Sequence, residues 1–221
     1  MTAQPVRVGQ LLLALLVVFH VLVIIISNYL VQLPVEVFGL HTTWGAFSFP
    51  LIFLATDLGV RLLGKARARQ LVAWVMLPAL VISYGVSVLF QDGHFAGWAT
   101  LASFNGVVFR ISLASFCAYA LGQLLDIQVF DRLRRLPEWW LAPSGSSVFG
   151  QLVDTLVFFS IAFWHSDNAF MASHWQEIAM VDYAIKLAFC FLFLVPAYGV
   201  LLRLLLGLFG RRPVRPGAEP R

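Results

Sequence analysis

Six stretches of mostly apolar residues follow one another along this chain, at roughly 10–31, 45–63, 71–90, 105–125, 147–165 and 181–207. Crossing the hydrocarbon of a bilayer takes about 20 such residues. The pattern therefore predicts an all-α integral membrane protein with six transmembrane helices. The last stretch exceeds one span, so it either tilts or extends past the bilayer as an amphipathic end. Val31-Gln32-Leu33-Pro34 ends the first helix, because proline cannot continue it and disfavours helix at the residue before. The run Leu11 to Leu30 is too long for a signal-peptide core, and no small-residue cleavage site follows it. The organisation expected is a cytoplasmic N-terminus at 1–9, a six-helix domain at 10–207 and a flexible basic tail at 208–221.

Polar positions between the stretches orient them. Arg7 precedes the first span. The loop near 32–44 has no Lys or Arg, and the next has Lys65, Arg67 and Arg69. The loop at 91–104 again has none, and Arg132, Arg134 and Arg135 follow. The loop at 166–180 has none, and the tail carries Arg211, Arg212, Arg215 and Arg221. This alternation places both termini in the cytoplasm. Trp44, Trp98 and the Trp139-Trp140 pair fall near the interfaces, where amphipathic rings belong. The stretch Phe130 to Leu141 reads as a cytoplasmic interfacial helix. Gly145 and Gly150, flanking Ser146 and Ser147, read as a site of close helix approach.

Composition sharpens the class. Only 12% of the residues are charged, against about 25% in a soluble domain. The 221 residues leave no room beside the spans for a soluble catalytic or ATP-binding domain. No GxxxxGK[ST] loop occurs, so an ATP-driven role needs another subunit. The net charge of +4 follows topology and does not read as nucleic-acid binding. Cys117 and Cys190 lie in apolar stretches and read as packing thiols. His165, His174 and Asp167 match no metal-ligand spacing, and His20 reads as a satisfied core histidine. Ser144-Gly145-Ser146 lacks the GxSxG spacing, which leaves an intramembrane hydrolase as a minor alternative. No cofactor or metal is implied.

Candidate chemistry sits on the charges inside the spans: Asp57, Arg61, Arg110, Asp154, Asp182 and Lys186. Such residues are expensive in hydrocarbon and mark pathways or sites. Asp57 and Arg61 are four apart, which fits an intrahelical ion pair or a cavity carboxylate held ionised by its neighbour. Asp182 and Lys186 repeat the spacing, with Lys186 one turn deeper. Arg110 has no acidic neighbour on its own helix and needs a partner elsewhere. Gln151 and Asp154 share a face, and with Thr155 they suit a planar heterocycle bearing an N–H beside an amino group. The alternative is a buried network that ties helices together. Asn28 adds an amide. Trp44, Phe47, Phe49, Phe104 and Phe109 are candidate stacking faces. Gln123 and Asp126 read either as a gate or as solvated helix-end polarity. Depth along the spans separates these charges: Asp57 and Arg61 toward the cytoplasm, Asp154 in the middle, and Arg110, Asp182 and Lys186 toward the outside.

Several longer phrases carry a resemblance. They are Ser27-Asn28-Tyr29-Leu30-Val31-Gln32-Leu33-Pro34, His41-Thr42-Thr43-Trp44-Gly45-Ala46-Phe47-Ser48-Phe49-Pro50, Ala55-Thr56-Asp57, Ala118-Tyr119-Ala120-Leu121-Gly122-Gln123, Gly150-Gln151-Leu152-Val153-Asp154-Thr155, and Val181-Asp182-Tyr183 with Lys186. In this order the chain resembles the bacterial queuosine precursor transporters, vitamin-uptake-like membrane proteins, over roughly 10–205. The resemblance implies uptake of 7-cyano-7-deazaguanine or its aminomethyl relative for tRNA modification, without enzymatic activity. It also implies a fold similar to the substrate-binding components of energy-coupling-factor importers. Gln151 departs from the asparagine expected there. The working assignment puts Asp154, Gln151, Arg110, Lys186, Asn28, Phe47 and Trp44 on the substrate. Asp57, Arg61, Asp182, Gln123 and Asp126 are assigned to coupling or gating. A homo-oligomer, an ATPase partner for a substrate-binding subunit, and a purely structural membrane protein stay open.

Overall fold

A computed structural model describes residues 3–30, 33–37, 40–91 and 93–208. Most of the basic tail lies outside the described residues. The chain is mostly helical. Helix α1 (Ala3–Leu30) leads into an antiparallel hairpin, β1 (Pro34–Val37) and β2 (Leu40–Thr43), with Pro34 opposite Thr43. A short α2 (Gly45–Ser48) and α3 (Leu51–Leu63) form the second span, interrupted at Pro50. Proline has no N–H to give the preceding turn, so the helix breaks there. Helix α4 (Lys65–Leu89) follows, then a second hairpin, β3 (Phe90–Gln91) with β4 (His94–Phe95), and a 3-10 turn at Trp98–Ala102. Helices α5 (Gly106–Leu133), α6 (Leu141–Phe163) and α7 (Ala169–Phe189) complete the scaffold, with a π-helical turn at Cys190–Leu194 continuing into α8 (Val195–Leu208).

Six helical segments are long and apolar enough to cross a membrane: Gly9–Leu30, Gly45–Leu63, Lys65–Leu89, Gly106–Leu133, Leu141–Phe163 and Ala169–Gly207. Several exceed the apolar stretches, because helix continues where hydropathy stops. Helix α4 starts at Lys65, α5 runs past Asp126 to Leu133, and α7 begins at Ala169. Asn168 fixes the early start of α7, and Asn105 fixes the start of α5 where hydropathy places it. Each side chain accepts from a backbone N–H three residues on, Val108 at 3.1 Å and Met171 at 3.0 Å, as N-caps do. The interfacial helix expected at Phe130–Leu141 is not formed. Those residues end α5, turn, and begin α6, because Arg134 is anchored to the bundle and cannot lie flat on a membrane surface. The purely α expectation is corrected by the two hairpins.

The bundle is tightest between α5 and α6. Gly122 on α5 lies against Asp154, where an added Cβ would sit 2.9 Å from the Asp154 Cβ. Gly150 on α6 lies against Asp126, with the same 2.9 Å to its Cβ and 2.8 Å to the Phe53 ring. Two glycines thus brace the helices reciprocally, as small residues do in membrane bundles. Gly145 is equally close to Leu133. The apolar core joins Ile52, Val60, Leu71, Val75, Ile127 and Phe130 from α3, α4 and α5. Leu15, Leu22, Trp74, Leu77, Val81, Leu192 and Leu204 stay exposed on the helices, which suits surfaces that face lipid.

At the end of the bundle where α3 meets α4 and α5 meets α6, charges staple the turns. Arg134 pairs with Asp131 at 2.7 Å and donates to the Val60 carbonyl at 3.0 Å. Arg61 donates to the Arg134 carbonyl at 3.1 Å. The intrahelical pair expected between Asp57 and Arg61 is therefore not made. Tertiary acceptors draw Arg61 to the chain turn, and Asp57 faces inward.

Candidate functional site: a cavity between the helix ends

A cavity of about 410 Å³ lies among the end of α1, the β2 strand with α2, and the inward faces of α4, α5, α6 and α7. Binding cavities for small molecules typically measure about 300–1,000 Å³. Its lining mixes hydroxyls and an amide (Ser27, Asn28, Ser87, Ser115) with the rings of Phe49, Phe158, Phe159 and Phe163. Thr42 and Thr43 of the β1–β2 hairpin close one side. The break at Pro50 turns the Phe49 ring to the cavity wall.

Three charges meet there. The Lys186 ammonium pairs with Asp182 at 2.7 Å and Asp154 at 3.6 Å, and donates to the Thr155 hydroxyl at 3.3 Å. It also stands 5.7 Å over the Phe49 ring, within cation–π range. The i,i+4 geometry of α7 makes the first pair, and the inward face of α6 supplies Asp154. These charges, separated by depth along the spans, are brought into one group. Asp154 Oδ2 faces the lysine, while the buried Oδ1 has no hydrogen-bond partner. A buried carboxylate oxygen without a donor is rare enough to call for one. Asp154 is a lining residue of the cavity, and a free carboxylate oxygen can receive an N–H from a ligand. The Asn28 side-chain amide donates to the Ser83 hydroxyl at 2.5 Å, which leaves its carbonyl end to accept.

The remaining candidates lie elsewhere. Arg110 donates to the carbonyls of Ile161 at 2.7 Å, His165 at 3.4 Å and Trp164. They are one carbonyl of the last turn of α6 and two from the turn that follows it, at a helix end where carbonyls lack intrahelical donors. The chain turns there with His165 at φ 51°, a left-handed conformation uncommon outside glycine. Arg110 borders a separate depression with Asn105 and Asp167. Trp44 is 50% exposed and does not line the cavity. Phe47 packs edge-on against Phe189, with ring centroids 5.6 Å apart. Phe104 and Phe109 pack with Tyr84. Gln151 lies one turn from Asp154, fully buried and outside the lining, facing the Cys190 thiol.

Toward the opposite end a second polar group fills the interior. Ser146 donates to Asp57 at 3.0 Å. The Asp126 carboxyl faces both. Gln123 meets the Thr56 hydroxyl, which meets His20 Nε2 at 3.0 Å, while His20 Nδ1 donates to the Leu16 carbonyl at 2.7 Å. Gln123 and Asp126 are completely buried. The reading of these two as solvated helix-end polarity is thus corrected, because α5 continues past them into the bundle.

Ser27, Ser115, Phe158, Phe159 and Phe163 were not singled out as site residues. A helical signal for one was available: Phe158 is four residues from Asp154 and shares its face.

Comparison with known proteins agrees with a transport fold. The family described as "Putative vitamin uptake transporter" matches residues 43–201. A "Queuosine precursor transporter" of Escherichia coli (strain K12) is 60% identical over 188 residues, covering 85% of this chain and 85% of that protein. A "Probable queuosine precursor transporter" of Haemophilus influenzae is 50% identical over 200 residues, again with 85% of each chain covered. One from Bacillus subtilis (strain 168) is 32% identical over 180 residues, with 78% of this chain and 77% of that protein covered. No solved structure matches. With six spans, a walled cavity and these relatives, the chain belongs to the vitamin uptake transporter family.

Proposed function

We propose that this chain imports a queuosine precursor, a 7-deazaguanine bearing a cyano or aminomethyl group. The observation that carries the reading is the unpartnered Asp154 Oδ1 at the wall of an aromatic cavity. Its first support is the likeness to relatives named as queuosine precursor transporters. Its second is the fit of the chemistry. Asp154 accepts from the amino-pyrimidine edge of the base, Lys186 faces the ring carbonyl, and the Asn28 carbonyl accepts a further N–H. Phe49, already beneath Lys186, takes the stacking role first assigned to Phe47 or Trp44. Arg110 and Gln151 leave the contact set, since neither borders the cavity. Asp182 holds Lys186 in place.

The alternation of basic loops supports both termini in the cytoplasm of the inner membrane. That orientation puts the cavity and the β1–β2 hairpin on the outer side, with the hairpin as a cover. Asp57, Gln123 and Asp126 then occupy the inner half, in a coupling role. Arg61, bound to the Arg134 carbonyl, fixes the cytoplasmic turns.

The test is calorimetric binding of 7-cyano-7-deazaguanine to the purified chain, together with its uptake into proteoliposomes. An analogue without the exocyclic amine binds about 10- to 100-fold more weakly if it forfeits a hydrogen bond to a carboxylate. Equal binding of the two compounds removes Asp154 from its assigned role.

A further inference from the structure

The cavity accounts for one buried charge group. The second, between α3, α5 and α6, has no part in holding the base. It also differs in having no cation. Among the described residues, no ion pair reaches Asp57 or Asp126. Arg61 and Arg134 have other partners, the Arg134 carbonyl for the first and Asp131 with the Val60 carbonyl for the second. The other groups facing the pair are Ser146 from α6, the Cys190 thiol, and Tyr198 from α8. Around them, atoms stand without partners at complete burial: both Asp126 oxygens, Gln123 Nε2 and both ends of the Gln151 amide. Orphaned polar atoms on this scale are uncommon in a finished core. The Gln151 amide, one turn from Asp154 on α6, faces the Cys190 thiol beside the two carboxyls.

We propose that Asp57 and Asp126 form a proton-carrying site that couples uptake of the base to entry of a proton. Two unneutralised carboxylates side by side in a dry interior are strongly disfavoured, and a shared proton removes the conflict. A sodium ion is the competing occupant, and the gradient experiment below separates it from a proton. The link to the substrate is the reciprocal glycine contact. Gly122 of α5 rests against Asp154, and Gly150 of α6 rests against Asp126. When a base engages Asp154, α6 and α5 cannot shift independently, so the environment of Asp126 changes with it. In each cycle a proton from water on the outer side forms an O–H bond on one carboxylate. That bond breaks toward water on the inner side, and the base crosses chemically unchanged. One proton and one base enter together.

The proposal rests on the substrate reading, and the experiment separates the two. The purified full chain is reconstituted in proteoliposomes with labelled 7-cyano-7-deazaguanine, with and without an inward proton gradient, potential clamped by potassium and valinomycin. For one proton per base, a gradient of one pH unit drives about tenfold accumulation, and adding base acidifies the lumen, read by a trapped pH dye. Asp126→Asn abolishes the accumulation and the acidification but keeps binding and base-for-base exchange. Asp57→Asn does the same and serves if the first variant fails to fold. Binding and exchange with no response to the proton gradient overturn the proton proposal alone. So does accumulation driven by a sodium gradient, or an unaltered gradient response in both variants. Absence of binding and of uptake in the wild type overturns the substrate reading and this proposal with it.

Discussion

The two charged groups in the interior use the same chemistry toward opposite ends. At the cavity, two carboxylates share the Lys186 ammonium, and the site keeps one acceptor free. In the other half, Asp57 takes the Ser146 hydroxyl, Asp126 lies beside it, and among the described residues no ion pair reaches either. The first arrangement is compensated in part by the protein itself, with one ammonium set between two carboxylates. The second is left for something mobile to neutralise. Charge type alone did not distinguish them. The difference lies in whether a lysine stem reaches the pair.

Removing the cation breaks the contrast most severely. Lys186→Met leaves Asp154 and Asp182 uncompensated and costs about 3–5 kcal/mol, read as a fall in unfolding midpoint in detergent. Adding Asp182→Asn recovers part of it. By contrast, Asp57→Asn orphans no cation and costs under about 1 kcal/mol in the same assay. A comparable loss in both would erase the distinction drawn here. Next in size is Asp154→Asn, which weakens base binding by about 1.5–3 kcal/mol by turning a charged acceptor into a neutral one. Titration calorimetry measures it, and an undiminished affinity would sink the assigned contact. Gly122→Ala and Gly150→Ala come third. Each inserts a methyl within 3 Å of a neighbour at the α5–α6 contact, which costs about 1–3 kcal/mol of overpacking. Both variants should also slow uptake, although neither touches the cavity. Smallest is Trp44→Leu, a half-exposed position off the cavity wall, with a change within about 0.5 kcal/mol and unchanged affinity for the base.

Hydropathy and loop charge made the six spans legible, because lipid permits only a narrow range of spanning structures. The ends of the helices were not, since helix persists wherever a cap or a tertiary partner supports it. Asn168 and the buried Asp126 are the cases in point. Residue type and position marked Asp154 and Lys186 as charges inside the spans, and both are buried. Their meeting across α6 and α7 could not be read, because spacing along one helix says nothing about which neighbour stands opposite. Arg110 shows the same gap. An arginine with no acidic neighbour read as a ligand group, yet three carbonyls at the end of α6 satisfy it. Asp57 and Arg61 had the spacing of a pair and found better partners across the bundle.

The π-helical turn at Cys190–Leu194 settles a matter of phase. Pro196 brings no N–H for the Leu192 carbonyl, and Val195 instead donates back to Cys190, five residues earlier. One surplus residue in a helix rotates everything beyond it by about 100°. Asp182 and Lys186 before the turn look into the cavity, while after it Tyr198 lies against Phe130 and Trp139, and Gly199 under the same tryptophan. Wound as a continuous α-helix, the same residues could not keep both appointments. The widened turn acts as a gear between two halves of one span. It lets the cavity face and the packing face be set independently along a single helix.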